Sequence, residues 1–158
     1  MSKISAGLLM YRVLDGKPEV LLVHPGGPFW QNKDIGVWSI PKGEVDENES
    51  GDNQSDLLKV AQREFEEETG VKPIGIFNFL GSVKKPSKTV YVWSFLGDCD
   101  VLAVKSNIIT IDWPPKSGKK LEIPEVDRAD FFSLEEAKIR LVSYQVPIID
   151  KFIASFGS

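Results

Sequence analysis

The sequence holds one cysteine, Cys99, and one histidine, His24. One thiol cannot build a disulfide framework, and one thiol with one imidazole cannot fill a structural zinc site. Long apolar runs are missing too: nothing approaches the roughly eighteen consecutive apolar residues of a membrane-spanning helix. Met1 to Met10 leads directly into a strand-like pattern and lacks the length and cleavage signature of a signal peptide, so a cytoplasmic protein without membrane contact is expected. Positive charge is in deficit, with a formal net charge of −4. That argues against a surface that wraps nucleic acid, while leaving room for a local basic pocket for a small anion. There are no internal repeats and no low-complexity tracts.

What is present is a chain of 158 residues with 42% apolar content, enough for one domain with a real core, 1–158. Ile4 to Val13 and Val20 to Val23 read as a strand pair around the turn signal Asp15-Gly16-Lys17-Pro18. A Pro/Gly-rich loop follows from His24 to Trp30, then a short apolar piece from Gly36 to Ile40. A helix capped by Ser55 or a neighbour runs to about Thr69, where Gly70 is placed to end it. Ile74 to Val83 and Thr89 to Leu96 read as two more strands, joined by the basic turn Lys84 to Lys88. Trp113 to Pro124 reads as a loop. Ser133-Leu134-Glu135-Glu136 is a helix start, and a last helix begins near Pro147 and ends about Ala154. Strands mixed with a few helices give a single α/β (α+β) domain.

The informative segment is Arg63-Glu64-Phe65-Glu66-Glu67-Glu68-Thr69-Gly70-Val71. At about 100° per residue, Leu57, Leu58, Ala61 and Phe65 make one apolar stripe. Glu66 points away from it, Glu64 and Glu67 fall along one edge, and Glu68 falls inside it. A carboxylate on a core-facing stripe is costly unless a cation meets it. Glu64, Glu67 and Glu68 are also i, i+3, i+4 neighbours, so their charges crowd one patch. Arg63 beside Glu67 offsets part of this repulsion, but one arginine does not balance three acids. A divalent cation does, and carboxylate oxygens suit Mg²⁺ or Mn²⁺. A solvated acidic helix is the bland alternative.

Upstream stands Val37-Trp38-Ser39-Ile40-Pro41-Lys42-Gly43-Glu44. Together with 63–71 it resembles the Nudix box: Gly, five residues, Glu, seven residues, then Arg-Glu-apolar-x-Glu-Glu-x-Gly-apolar. Gly43, Glu49, Arg63, Glu64, Phe65, Glu67, Glu68, Gly70 and Val71 fill the slots. Thirteen residues separate Glu49 from Arg63, six more than the pattern has. Ser50 to Ser55 accounts for the excess as a surface-loop insertion that leaves the helix register intact. Glu47 and Asp46 are alternatives for the Glu49 slot. The stretch Glu125-Val126-Asp127-Arg128 to Ala137 is similar to the family as well. The resemblance implies a Nudix-type α/β/α sandwich around a mixed sheet.

It also implies hydrolysis of a phosphoanhydride in a nucleoside-diphosphate-linked substrate, with Mg²⁺ as cofactor and Mn²⁺ as a substitute. Glu67, Glu68 and the Gly43 carbonyl match metal ligands. Glu64 matches a residue that binds metal or acts as general base. Arg63 is expected to orient the catalytic acids, and Lys42 to touch a phosphate or lie on the surface. Glu125 is the candidate base outside the box, with Glu122 behind it. Lys85, Lys88 and Tyr91, in the run Lys85 to Trp93, resemble the corresponding strand of diadenosine tetraphosphate hydrolases and are the candidate substrate contacts. Tyr91 and Trp93 alternate with Val90 and Val92, so either also fits the core; Trp30 and Trp38 fit stacking or packing. His24 reads as a loop histidine. Gly118-Lys119-Lys120 is no P-loop, lacking the upstream glycine and the Ser/Thr. A dinucleoside polyphosphate such as diadenosine tetraphosphate is the expected substrate. ADP-ribose, a nucleotide sugar, a nucleoside triphosphate and, less favoured, a capped RNA end are alternatives within the class. A non-catalytic nucleotide sensor is the alternative outside it, and no protein partner is inferred.

Overall fold

The computed structural model describes residues 3–156; Met1, Ser2, Gly157 and Ser158, which belong to the single domain expected from the sequence, lie outside the described residues. Strands β1 (Lys3–Leu14) and β2 (Lys17–Pro25) form the expected hairpin, with Tyr11 opposite Val20 and Leu14 opposite Lys17. A short β3 (Lys42–Glu44) leads through a loop to α1 (Gln54–Thr69). β4 (Asn78–Lys85) and β5 (Lys88–Leu96) follow, then β6 (Ile108–Asp112), β7 (Lys120–Pro124) and β8 (Val126–Ser133). Helices α2 (Leu134–Arg140) and α3 (Pro147–Phe156) close the described chain. Among the described residues no helix is long and apolar enough to cross a membrane.

The main sheet runs β4-β5-β1-β2-β8, with β3 also paired to β1. β1 and β5 are parallel and the other pairings antiparallel, so the sheet is mixed. Ala6, Leu8 and Met10 pack with Leu57, Ala61 and Phe65 of α1, while Leu9 packs on the other face with Ala137 of α2 and Ile148 and Phe152 of α3. Strands covered on both faces read as continuous apolar runs, which is why Leu8-Leu9-Met10 and Val20 to Val23 show no alternation. The result is the α/β/α sandwich that the resemblance implied.

One local feature creates the site. β1 and β2 pair only near their shared turn and then diverge, and residues 39–44 fill the gap. Ser39 exchanges backbone hydrogen bonds with Val23 at 2.8 and 3.0 Å, the Leu8 N–H donates to the Pro41 carbonyl, and β3 pairs with residues 5–7 of β1. Buried Gln145 secures the wedge, accepting from the Ile40 N–H and donating to Ser39 Oγ, both at 3.0 Å.

Four elements differ from the sequence reading. The segment from Ile74 is not strand until Asn78; Ile74 and Ile76 are solvent-exposed and Gly75 lies at φ 143. Pro, Lys and Gly in 113–124 mark only the turn 113–119, because Leu121 and Ile123 oppose Ile111 and Ile109 in a two-stranded ribbon. β2 extends to Pro25, which makes His24 a fully buried strand residue instead of a loop residue. The helix cap is Asn53, whose side chain accepts from the Asp56 N–H at 2.9 Å, so Gln54 and Ser55 already lie in the first turn of α1. The inserted hexapeptide is therefore half loop and half helix start.

Candidate active site

α1 presents Glu64, Phe65 and Glu68 toward the sheet. Phe65 fills the core, and the two acids are carried down with it beside β3. Glu64 is more buried than its position at the stripe edge suggests, because Gly43 lies directly under it: a Cβ at residue 43 would overlap the Glu64 carboxylate. A side chain there would displace that carboxylate, so glycine leaves Glu64 its place over the β3 backbone. The two acids and Gly43 line a cleft of about 420 Å³ together with Lys42, Lys88 and Glu125, a size suited to a small ligand.

Glu68 lies almost wholly out of water, and its carboxyl is pushed well above the ordinary value, first by burial and then by Glu125 and Glu64, with Lys42 opposing. Glu125, which follows β7, lines the same cleft close enough to push the Glu68 carboxyl further up. Glu64 is raised to about 6, again chiefly by burial, with Arg63 opposing and Glu67 and Glu125 adding to the rise. Two buried acids that resist ionisation beside a third describe a place short of positive charge.

Arg63 is the hub of the box. Its Nε and Nη2 grip Glu49 at 2.7 and 2.6 Å, Nη1 reaches Glu64 at 2.9 Å and Glu67 at 3.0 Å, and Nη2 donates to the Glu44 carbonyl at 3.2 Å. All five N–H donors of the guanidinium are occupied, so Arg63 orients the acids and has none left for a substrate. The fork holds the Glu49 carboxyl below its ordinary range. Of the three acids proposed for the Glu49 slot, Glu49 is the one that Arg63 grips. Asp46 approaches Arg63 at 3.5 Å, and Glu47 is exposed.

Lys42 and Lys88 line the same cleft and supply positive charge, Lys42 acting on Glu68 itself. The Lys88 ammonium is lowered by burial and then by Lys42, with Glu44 opposing and Lys85 and Lys3 adding to the fall. Lys85 itself sits in a separate basin with Lys84, Pro86 and Thr89, its Nζ 5.0 Å from the Tyr144 ring. Tyr91 lies on the α1 face of β5, stacked on Phe79, and does not line the cleft. The structure thus joins Lys42, Gly43, Glu64, Glu68, Lys88 and Glu125, with Arg63 and Glu67 at the rim, and leaves Lys85 and Tyr91 apart. Glu122 is exposed on β7, opposite Thr110. Trp38 and Trp93 are buried packing residues; Trp30 is half-buried against Phe29.

The donors facing the cleft are oxygens: the carboxylates of Glu64, Glu68 and Glu125 over the Gly43 backbone. That set fits a hard divalent cation and not a thiophilic one. Among the described residues no three acids converge as a ready cage; Arg63 draws Glu67 and one oxygen of Glu64 toward itself. A cation kept by few carboxylates, with waters and substrate phosphates completing its shell, is the Mg²⁺ habit.

Residues the sequence reading missed surround this site. His24 places Nδ1 at 2.8 Å from Asp127 and Nε2 at 2.6 Å from the Lys33 carbonyl, tying the 25–37 loop to β8. Ser39 also lines the cleft, as does Asp46, which the sequence offers only for the Glu49 slot. No local spacing marks any of these; only a strand assignment reaching Pro25 points His24 inward.

The model of the NUDIX domain matches residues 3–155. No curated protein matches the chain. Among solved structures, the NUDIX domain of Shewanella oneidensis NrtR complexed with ADP ribose superposes with a TM-score of 0.65 at 18% identity, covering 99% of this chain and 89% of that one. The C. elegans Ap4A hydrolase in a binary complex gives 0.62 at 24% identity over 98% of both chains. The MutT protein from Methanosarcina mazei Go1 gives 0.61 at 22%, covering 99% and 96%. At such identities the likeness is one of fold. The domain match, by contrast, spans the sheet, both helical layers and the cleft with its box, and on it this chain belongs to the NUDIX hydrolase family.

Proposed function

We propose that this chain hydrolyses a phosphoanhydride bond in a nucleoside-diphosphate-linked substrate, most suitably a dinucleoside polyphosphate such as diadenosine tetraphosphate. The observation that carries the reading is the mixed charge of the cleft. Buried acids with raised carboxyls, Glu64 (paired with Arg63) and Glu68, share one cleft with the amines Lys42 and Lys88. A chain of phosphates with a cation at one point matches that mixture.

Glu64, Glu68 and the Gly43 carbonyl would hold Mg²⁺ or Mn²⁺, which supplies neutralisation of the phosphate oxygens. Arg63 fixes the orientation of Glu64. Lys42 and Lys88 hold the remaining phosphates. Glu125 takes a proton from water as its oxygen bonds to phosphorus and the anhydride P–O bond breaks, the leaving phosphate keeping the electron pair. Its place outside the box, beside Glu68 and free of the Arg63 fork, supports that role over one for Glu64.

The test is a panel of nucleoside diphosphate derivatives incubated with Mg²⁺, with products identified by mass. Diadenosine tetraphosphate should yield ATP and AMP, and faster than ADP-ribose yields products. A preference for ADP-ribose or a nucleotide sugar would reject the substrate and keep the reaction. No turnover of any member with either metal would favour a nucleotide-sensing role.

A further inference from the structure

We propose that Ser106 is a positioning residue that aims Glu125 into the cleft, a role that rests on the catalytic reading of Glu125 given above. The pairing of β2 with β8 shifts register between His24 and Pro25, next to the residue at issue. Bulges of this kind re-aim a side chain and leave backbone groups outside the ladder. Here the Val126 N–H, immediately after Glu125, turns away from β2 and donates to Ser106 Oγ at 2.9 Å. The serine proton is taken by the carbonyl of Val126 at 3.1 Å or of Asn107 at 3.0 Å. Ser106 is buried, so this hydroxyl is what satisfies a backbone donor with no access to water.

The surrounding contacts lock the same corner. The Glu125 N–H donates to the Asn107 carbonyl at 3.0 Å, and the Glu125 carbonyl accepts from the Gly26 N–H at 2.9 Å. Gly26 has no room for a side chain, because a Cβ would strike the Pro124 carbonyl. The segment carrying the serine is in turn fastened to the end of α1: Asn107 N–H donates to the Glu67 carbonyl at 2.9 Å and Lys105 N–H to the Thr69 carbonyl at 3.0 Å. Ser106 thus connects the helix that carries Glu64 and Glu68 to the corner that carries Glu125. It touches neither substrate space nor any acid, and acts only by fixing where the Glu125 side chain leaves the backbone.

Ser106→Ala, Ser106→Thr, Glu125→Gln and the double variant Ser106→Ala/Glu125→Gln test this. The first readout needs neither metal nor substrate: nuclear Overhauser contacts between the Glu68 and Glu125 side-chain methylenes in the free protein. They should be present in wild type and Ser106→Thr and weakened in Ser106→Ala, with thermal unfolding still cooperative. The second readout is kinetic. Ser106→Ala should lower kcat ten- to a hundredfold with KM within threefold, Ser106→Thr should stay within threefold of wild type, and adding Ser106→Ala to Glu125→Gln should cost nothing further. Undiminished Glu68–Glu125 contacts in Ser106→Ala would overturn the inference, as would losses that multiply in the double variant, which mark a merely structural serine. Wild type inactive on every substrate would remove the catalytic reading, while the contacts between Glu68 and Glu125 would still decide whether the serine positions the glutamate.

Discussion

Glu68 shows how a single side chain reports a missing partner. Its helix slot belongs to the core stripe, burial pushes its carboxyl well above the ordinary value, and Glu64 at about 6 is displaced in the same direction. The folded chain therefore binds more protons here than the unfolded one, whose Glu64 titrates near 4.5. Folded pKa above unfolded pKa for an acid means that stability falls as pH rises across that window. Cation binding competes with those protons, so the stabilisation by Mg²⁺ should grow as pH climbs through about 6. The expected result is a larger Mg²⁺-induced Tm gain at pH 7.5 than at pH 5; an equal gain at both would place the metal elsewhere. Glu68→Gln should raise the metal-free Tm, abolish that gain and lower kcat by roughly a thousandfold or more, the scale of losing a metal-ion contribution worth several kcal/mol. Near-normal turnover would sink the assignment. The placement of Glu68 is legible in the sequence because helical periodicity is local. That of His24 and Ser106 is not, since both depend on a strand register set by residues about a hundred and about twenty positions away, respectively.

Elements were legible where one period dominated and illegible where two signals overlapped. α1 carries an unbroken stripe and a glycine stop, Gly70 at φ 74, and its end was placed correctly. Its start was blurred because Ser50 to Ser55 combines loop composition with a cap. Asn53 and Ser55 are both plausible caps by residue type, and only geometry selects Asn53. The ribbon β6–β7 was hidden by the density of Pro, Lys and Gly in its turn, and β4 was extended backward by Ile74 and Ile76, apolar residues that have nothing to pack against. The cap carries a prediction. Asn53→Ala removes an acceptor for the Asp56 N–H and should cost about 1 kcal/mol, or roughly 2–4 °C in Tm for a domain of this size. Activity should change less than twofold, because the cap lies at the end of α1 away from Glu64 and Glu68. Deleting Ser50 to Ser55 should be worse than a loop-closure estimate of about half a kcal/mol suggests, since it removes the cap and half a helical turn. A deletion variant as stable as wild type would show that Asp56 or a neighbour recaps the helix.

At the scale of the molecule, the split between β1 and β2 decides what the fold can hold. The wedge 39–44 brings Lys42 and Gly43 into one short strand, so an amine and the backbone under Glu64 reach the cleft from neighbouring residues. On the β1 face that carries Lys42, register also aligns Lys3 with Lys88 and Lys88 with Lys85. Of these lysines Lys3 has a carboxylate partner, Glu44 at 3.7 Å. Like charges gathered this way, with Lys88 depressed by burial and by Lys42, are costly without an anion between them. On the proposed reading, a tetraphosphate would engage more of these lysines than a diphosphate does. Lys88→Ala should then raise KM for diadenosine tetraphosphate about tenfold and leave kcat within threefold, if the amine binds the outer phosphates equally in ground and transition states. KM for ADP-ribose should hardly move. Since a lysine–phosphate contact at a half-buried surface is screened by salt, the KM difference between wild type and Lys88→Ala should also shrink as ionic strength rises. A fall in kcat at unchanged KM would put Lys88 on the leaving group instead, because only a contact strengthened in the transition state changes turnover alone.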